Sequence, residues 1–181
     1  MTVPWKTILD GFDVINRHWK VQVASYSATG IVKVGNTKTI VQTTGISAVQ
    51  YHAGDAVGGK LTFLNAVRSS GEGGMIANVV LKDLAKQNAP LILVLFDRDF
   101  TATADHAAFD PSDADMANCI GFVSLPAANY ASFSDNSLCV ALPTLWFNAY
   151  ALHIYGQLYT TGTPTYVASG DLSVRMIIQQ T

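Results

Sequence analysis

Leu172-Ser173-Val174-Arg175-Met176-Ile177-Ile178-Gln179 is the stretch on which the fold turns. Leu172, Val174, Met176 and Ile178 fall on one parity, and Ser173, Arg175, Ile177 and Gln179 on the other. A period of two places one set on each side of an extended chain, so this reads as a strand with a buried face. Upstream, Met75, Ala77, Val79 and Leu81 alternate in the same way with Ile76, Asn78, Val80 and Lys82. Leu91–Phe96 is apolar at every position, which predicts a strand covered on both faces, either central in a sheet or at an interface.

Further strands read at Thr37–Thr44, Lys60–Asn65, Ile120–Leu125, Leu138–Leu142 and Leu145–Tyr159, punctuated by turns such as Gly162-Thr163-Pro164. A set of about nine or ten strands with little helix predicts an all-β chain, an antiparallel β-sandwich or jelly-roll-like domain. One short helix is expected at Pro111–Asn118.

The first fifty residues read differently. Trp5, Ile8, Leu9, Phe12, Ile15 and Trp19 fit a helical stripe, but Asp10-Gly11 is a turn pair and Trp19, Val21 and Val23 alternate, which favours strand–turn–strand. Ile31–Val34, Gly35-Asn36 and Thr37–Thr44 read as a hairpin. The expected division is an N-terminal arm or hairpin region over 1–50 and a sandwich over 51–181.

Composition narrows the functional classes. Charged residues make up 13% of the chain, against a usual ~25%. Such scarcity fits a domain packed into an assembly, or one whose surface is dressed in hydroxyls and amides. Residues 1–98 hold ten Lys/Arg and six acids, whereas residues 99–174 hold no Lys or Arg and seven Asp. No basic patch dominates, so nucleic acid is not expected as a partner. No apolar run is long enough to span a bilayer, and Met1–Lys6 lacks a secretory apolar region, so synthesis in the cytoplasm is expected. Cys119 and Cys139 lie in apolar runs and read as buried thiols, with no zinc spacing around them.

The acidic segment holding Asp97, Asp99, Asp105, Asp110, Asp113 and Asp115 is the first place to look for chemistry. Clustered carboxylates can ligate calcium, with Asp110, Asp113 and Asp115 as the candidates. The preferred reading is capping, with Asp110 at the N-cap, Pro111 at N1 and Asp113 at N3 of the short helix. Tyr51–Gly59 is glycine-rich but matches no phosphate-binding motif, and a turn leading into a strand is expected. His18, His52, His106 and His153 have no ligand spacing, and no nucleophile elbow is present. No catalytic residue, metal or cofactor is therefore expected, and the chain does not read as an enzyme. The aromatics Trp146, Phe147, Tyr150, Tyr155 and Tyr159 fall on both parities of 145–159, which predicts burial in a core plus an interface. A sugar-binding module would instead leave these rings in an open groove.

Three stretches carry a resemblance. Tyr51–Phe63 (YHAGDAVGGKLTF), Leu81–Val123 (with AKQNAPLILVLFD and AAFDPSDADMANCIGFV) and Tyr155–Thr181 (YGQLYTTGTPTYVASGDLSVRMIIQQT) resemble a family of tailed-phage and prophage proteins associated with virion structural genes. The resemblance spans about residues 50–181. It implies a virion component on the capsid surface, a decoration or cement protein, whose partners are the major capsid protein and copies of itself, as a trimer. Leu91, Leu93, Leu95, Trp146, Tyr150 and Tyr155 are then the expected interface residues. The alternative is a phage tail or host-recognition module that binds carbohydrate.

Overall fold

A computed structural model of the chain describes residues 36–181, together with two short strands nearer the N-terminus. Those are β1 (Phe12–Asp13) and β2 (His18–Trp19), which pair antiparallel with Phe12 opposite Trp19. They belong to a separate compact unit, residues 1–34. Both strands follow Asp10-Gly11 in the chain, so the turn expected at that pair is not the one that joins them. The remainder of the 5–24 stripe, and the strand expected at Ile31–Val34, lie outside the described residues.

Residues 35–181 form the second unit, a sandwich of two antiparallel sheets. It begins upstream of the division expected at 50, because β3 (Asn36–Thr43) pairs along its whole length with β12 (Leu172–Gln180). The first sheet runs β3-β12-β5-β9-β8, where β5 is Gly73–Asp83, β9 is Ser137–Ala141 and β8 is Tyr130–Ser132. β10 (Leu145–Asn148) joins the same edge of β5 as β9, but further towards the start of β5. The second sheet runs β4-β11-β6-β7, comprising Ala56–Phe63, Ile154–Thr160, Leu91–Phe96 and Cys119–Leu125.

The core lies between the sheets. Leu172, Val174, Met176 and Ile178 of β12 are fully buried in it, as their alternation requires. β5 departs from its predicted alternation. Ile76, Val79 and Leu81 face the core, while Met75 and Ala77 do not. The register against β12 explains this: Ile177 is opposite Asn78 and Ile178 opposite Ile76, so Ala77 is an extra residue. One inserted residue reverses the parity of everything before it. Parity alone cannot reveal such a bulge.

Leu145–Tyr159 is not one strand. β10 belongs to the first sheet and β11 to the second, and residues 149–153 turn the corner between them. The corner is held by backbone bonds to the 67–72 loop, with Ala149 N–H donating to Glu72 O (2.9 Å) and Gly71 N–H to Ala149 O (3.0 Å). The parity relation drawn between Trp146 and Tyr155 therefore does not apply, since the two residues lie in different sheets.

Leu91, Leu93 and Leu95 of β6 point into the sandwich core and are almost fully buried by the chain's own residues. They present no surface to a partner, which corrects their place among the interface residues. The other face of β6 is also covered internally. Val94, Phe96 and Phe100 form a second small cluster, with Ile92, Phe109, Tyr155 and Tyr159 packed against it. Phe100 and Phe109 come from the acidic segment. The all-apolar strand is thus central, and its second cover is a loop.

Candidate contact surface and the acidic cover

The segment from Asp97 to Asn118 lies across the outer side of the second sheet, and its carboxylates fasten it there. Asp105 accepts hydrogen bonds from the Tyr51 hydroxyl (2.8 Å), the Gly58 N–H (2.7 Å) and the Ser47 hydroxyl. Burial pushes the Asp105 carboxyl up, but these three donors outweigh it and hold the group below the ordinary carboxylate range. Desolvation pushes the Tyr51 phenol well above its usual range, and the adjacent Asp105 adds to this. The Tyr51 ring also stacks on His106 with centroids 3.7 Å apart.

Gly58 makes this geometry available. Its φ of +71° lies in the left-handed region, and an added Cβ would press on Thr44, Gly45 and Ile46 at 3.3 Å. The glycine-rich stretch is therefore a bulged strand start that docks the cover. Opposite the bulge, the fully buried Gln157 donates through Nε2 to Gly58 O (2.9 Å) and Thr103 O (2.6 Å). Its Oε1 accepts from Thr103 N–H (3.0 Å). One amide thus ties the bulge, strand β11 and the cover together. Neither Gln157 nor Asp105 stands out in the sequence, because a lone amide and one aspartate among six have no pattern.

The helix is shorter than expected. α1 spans Asp113–Met116, and its N-cap is Ser112 instead of Asp110. The Ser112 hydroxyl oxygen accepts from Asp115 N–H (3.1 Å), and the same hydroxyl donates to the Asp115 carboxylate (2.8 Å). Pro111 sits before the cap, where the helix has not yet begun. Asp115 also takes the Thr101 N–H (3.4 Å), and Asp99 pairs with Lys60. The Lys60 bond lowers the Asp99 carboxyl below its usual range. Among the described residues, no three His, Cys, Asp or Glu side chains are placed to hold a metal ion. Asp110, Asp113 and Asp115 do not form the oxygen cage that calcium requires.

Among the described residues, no segment packs in this way on the outer side of the first sheet. Register places Val41, Arg175, Val80 and Val140 side by side across four strands on that face. Val41 is 56% exposed and Val140 44%. Val41, Val80, Leu138 and Arg175, with Lys82 and Ser173, line a shallow hollow of about 250 Å³ there. At the other end of the sheet Trp146 is 66% exposed on β10. Tyr150, in the corner, is 64% exposed, with the Arg98 guanidinium 4.2 Å from its ring centre. Tyr155 is half-buried on the covered side of the second sheet, with Lys60 above it. The six expected interface residues thus divide three ways. The leucines are in the core, Tyr155 lies beside the cover, and Trp146 and Tyr150 are exposed.

His52 faces Asp55 (3.5 Å), and the His153 Nδ1 accepts from Asn65 N–H (3.0 Å). The first contact is between near neighbours in the chain, whereas the second joins residues 88 positions apart. Cys139 is buried and its thiol is pushed up to about 11 by desolvation, while Cys119 is half-buried; both are free thiols. No helix among the described residues is long and apolar enough to cross a membrane. The chain matches no family model and no curated protein sequence.

Proposed function

We propose that this protein is a bacteriophage virion component that decorates the capsid, binding the major capsid protein through the outer face of the first sheet and acting by contact instead of catalysis. The observation that carries this reading is the difference between the two outer faces. A 22-residue segment packs on the outer side of the second sheet, leaving Phe122 exposed at its β7 edge, whereas on the first sheet Val41 and Val140 are exposed in one row with Arg175 and the buried Val80. Isolated exposed apolar residues are ordinary, but two exposed valines sharing one row with Arg175, in a chain this poor in charge, fit a contact face. Broad contact suits a shell under internal pressure, since exposed ion pairs contribute only about 0–1 kcal/mol each. The resemblance of residues 50–181 to phage virion proteins supports the same reading. Self-association as a trimer belongs to this proposal, with Tyr150 and its stacked Arg98 at the contact.

Cryo-electron microscopy of purified virions tests the reading. The expected result is density for this chain on the head, in numbers comparable to the capsid subunits. Density confined to the tail would overturn it. Val140→Asp places a charge on an exposed position, so the variant folds normally and fails to bind isolated shells; undiminished binding would remove the proposed face.

A further inference from the structure

We propose that the opposite end of the same sheet carries a binding hollow for a neutral pyranose sugar, walled by Trp146. The proposal goes beyond capsid decoration and does not depend on it. Trp146 and Asn148 stand two positions apart on β10, both exposed and therefore on one face. Register sets Trp146 opposite Met75 and Met75 opposite Gln179, an exposed amide. In the next row Asn148 is opposite Gly73, whose carbonyl takes the Thr181 N–H (3.2 Å). The outer face at this end thus carries an exposed indole with one exposed amide, Asn148, on the same strand; a second exposed amide, Gln179, lies two strands away beyond Met75.

A residue without a side chain lies in the middle of the second row. Gly73 cannot carry a Cβ, because Asn148 Oδ1 and Phe147 O lie 2.6 Å from where it would stand. The Asn148 side chain occupies that space, and both residues line an open hollow of about 420 Å³ together with Trp146, Thr181 and, from the second sheet, Ile120; among the described residues no charged side chain lines it.

These features select a ligand class. An exposed indole offers a flat apolar face with a negative quadrupole, which attracts the polarised C–H bonds on one side of a pyranose ring. The Asn148 amide both donates and accepts, matching hydroxyl groups that do the same. A lining without Lys, Arg or His gives no counter-charge to a phosphate or carboxylate. The ligand is therefore polar and not anionic, with one apolar face, and a neutral pyranose meets that description.

Nuclear magnetic resonance on the full chain tests this through the Trp146 indole N–H, assigned with Trp146→Phe among the three tryptophans. Glucose, galactose, mannose, N-acetylglucosamine and rhamnose are titrated separately, with inorganic phosphate as the charged control. At least one sugar is expected to shift the Trp146 signal saturably, and phosphate is not. Asn148→Ala should weaken that binding by about tenfold, and Trp146→Ala should abolish it. Both positions are exposed, and an unchanged melting temperature would establish that the variants fold. The site is overturned if no sugar shifts the signal, if phosphate shifts it equally, or if the affinity survives both substitutions. A signal that moves only on adding capsid shells assigns Trp146 to the protein contact and also overturns the sugar site, while leaving the decoration reading standing. Sugar binding with no head-associated density in virions would do the reverse.

Discussion

Asp105 is the carboxylate on which the cover depends most. It gathers two hydroxyls and one backbone N–H from parts of the chain 47 to 58 residues away. Charge-assisted bonds of this kind are the stronger ones, and Asp105→Asn should cost about 1–3 kcal/mol at pH 7 in urea denaturation. The pH dependence has a definite sign. The folded carboxyl titrates below its unfolded value of about 3.9, so its contribution is complete above that value and is lost as pH falls through the folded one. The gap between wild type and Asp105→Asn should therefore close below about pH 4. A gap that stays constant down to pH 3 would show that the charge is immaterial. Asp83 runs the other way. It is fully buried, and burial raises its carboxyl against the opposing backbone donors led by Asn88.

At the level of elements, the segment 97–118 completes the second sheet. Without it, the outward side of β6 and β11, with Val94, Phe96, Tyr155 and Tyr159, would face water. Its attachment runs through the Gln157 amide. Gln157→Leu keeps the bulk but leaves the Gly58 carbonyl and both backbone groups of Thr103 without partners. The expected loss is about 2–4 kcal/mol, with a lower urea midpoint and new proteolytic cleavage within 97–110. Cleavage identical to wild type would mean that the aromatic cluster alone holds the cover. The Phe109–Tyr159 stack (4.9 Å) and the Phe96–Phe100 stack (4.1 Å) are the contacts that would then suffice.

On the scale of the whole sandwich, Cys139 reports on opening. It is fully buried on β9 between the sheets, and its thiol stays protonated at neutral pH because desolvation raises it to about 11. Labelling of Cys139 by a thiol reagent should therefore follow global unfolding, with a rate that rises in urea in step with the loss of structure. Labelling of Cys139 in native buffer as fast as a free peptide thiol would contradict the packed core. The half-buried Cys119, at the start of β7, serves as the internal comparison.

How much could be read in advance depended on whether an element follows a period. The alternation in Leu172–Gln179, the apolar run Leu91–Phe96 and the turn residues established an all-β chain, because a strand buries a face only by alternating. Strand pairing, and with it everything at the surface, was decided by tertiary structure. The Ala77 bulge reversed the face of one strand, and the corner at 149–153 sent Phe147 and Tyr155 to different sheets. Leu91, Leu93 and Leu95 became core because the opposite sheet reached them before any partner could. Gly73 and Asn148 met only through pairing of β5 with β10. Composition and period determine which residues must leave water, whereas the register of distant strands decides which polar groups meet and which face stays open.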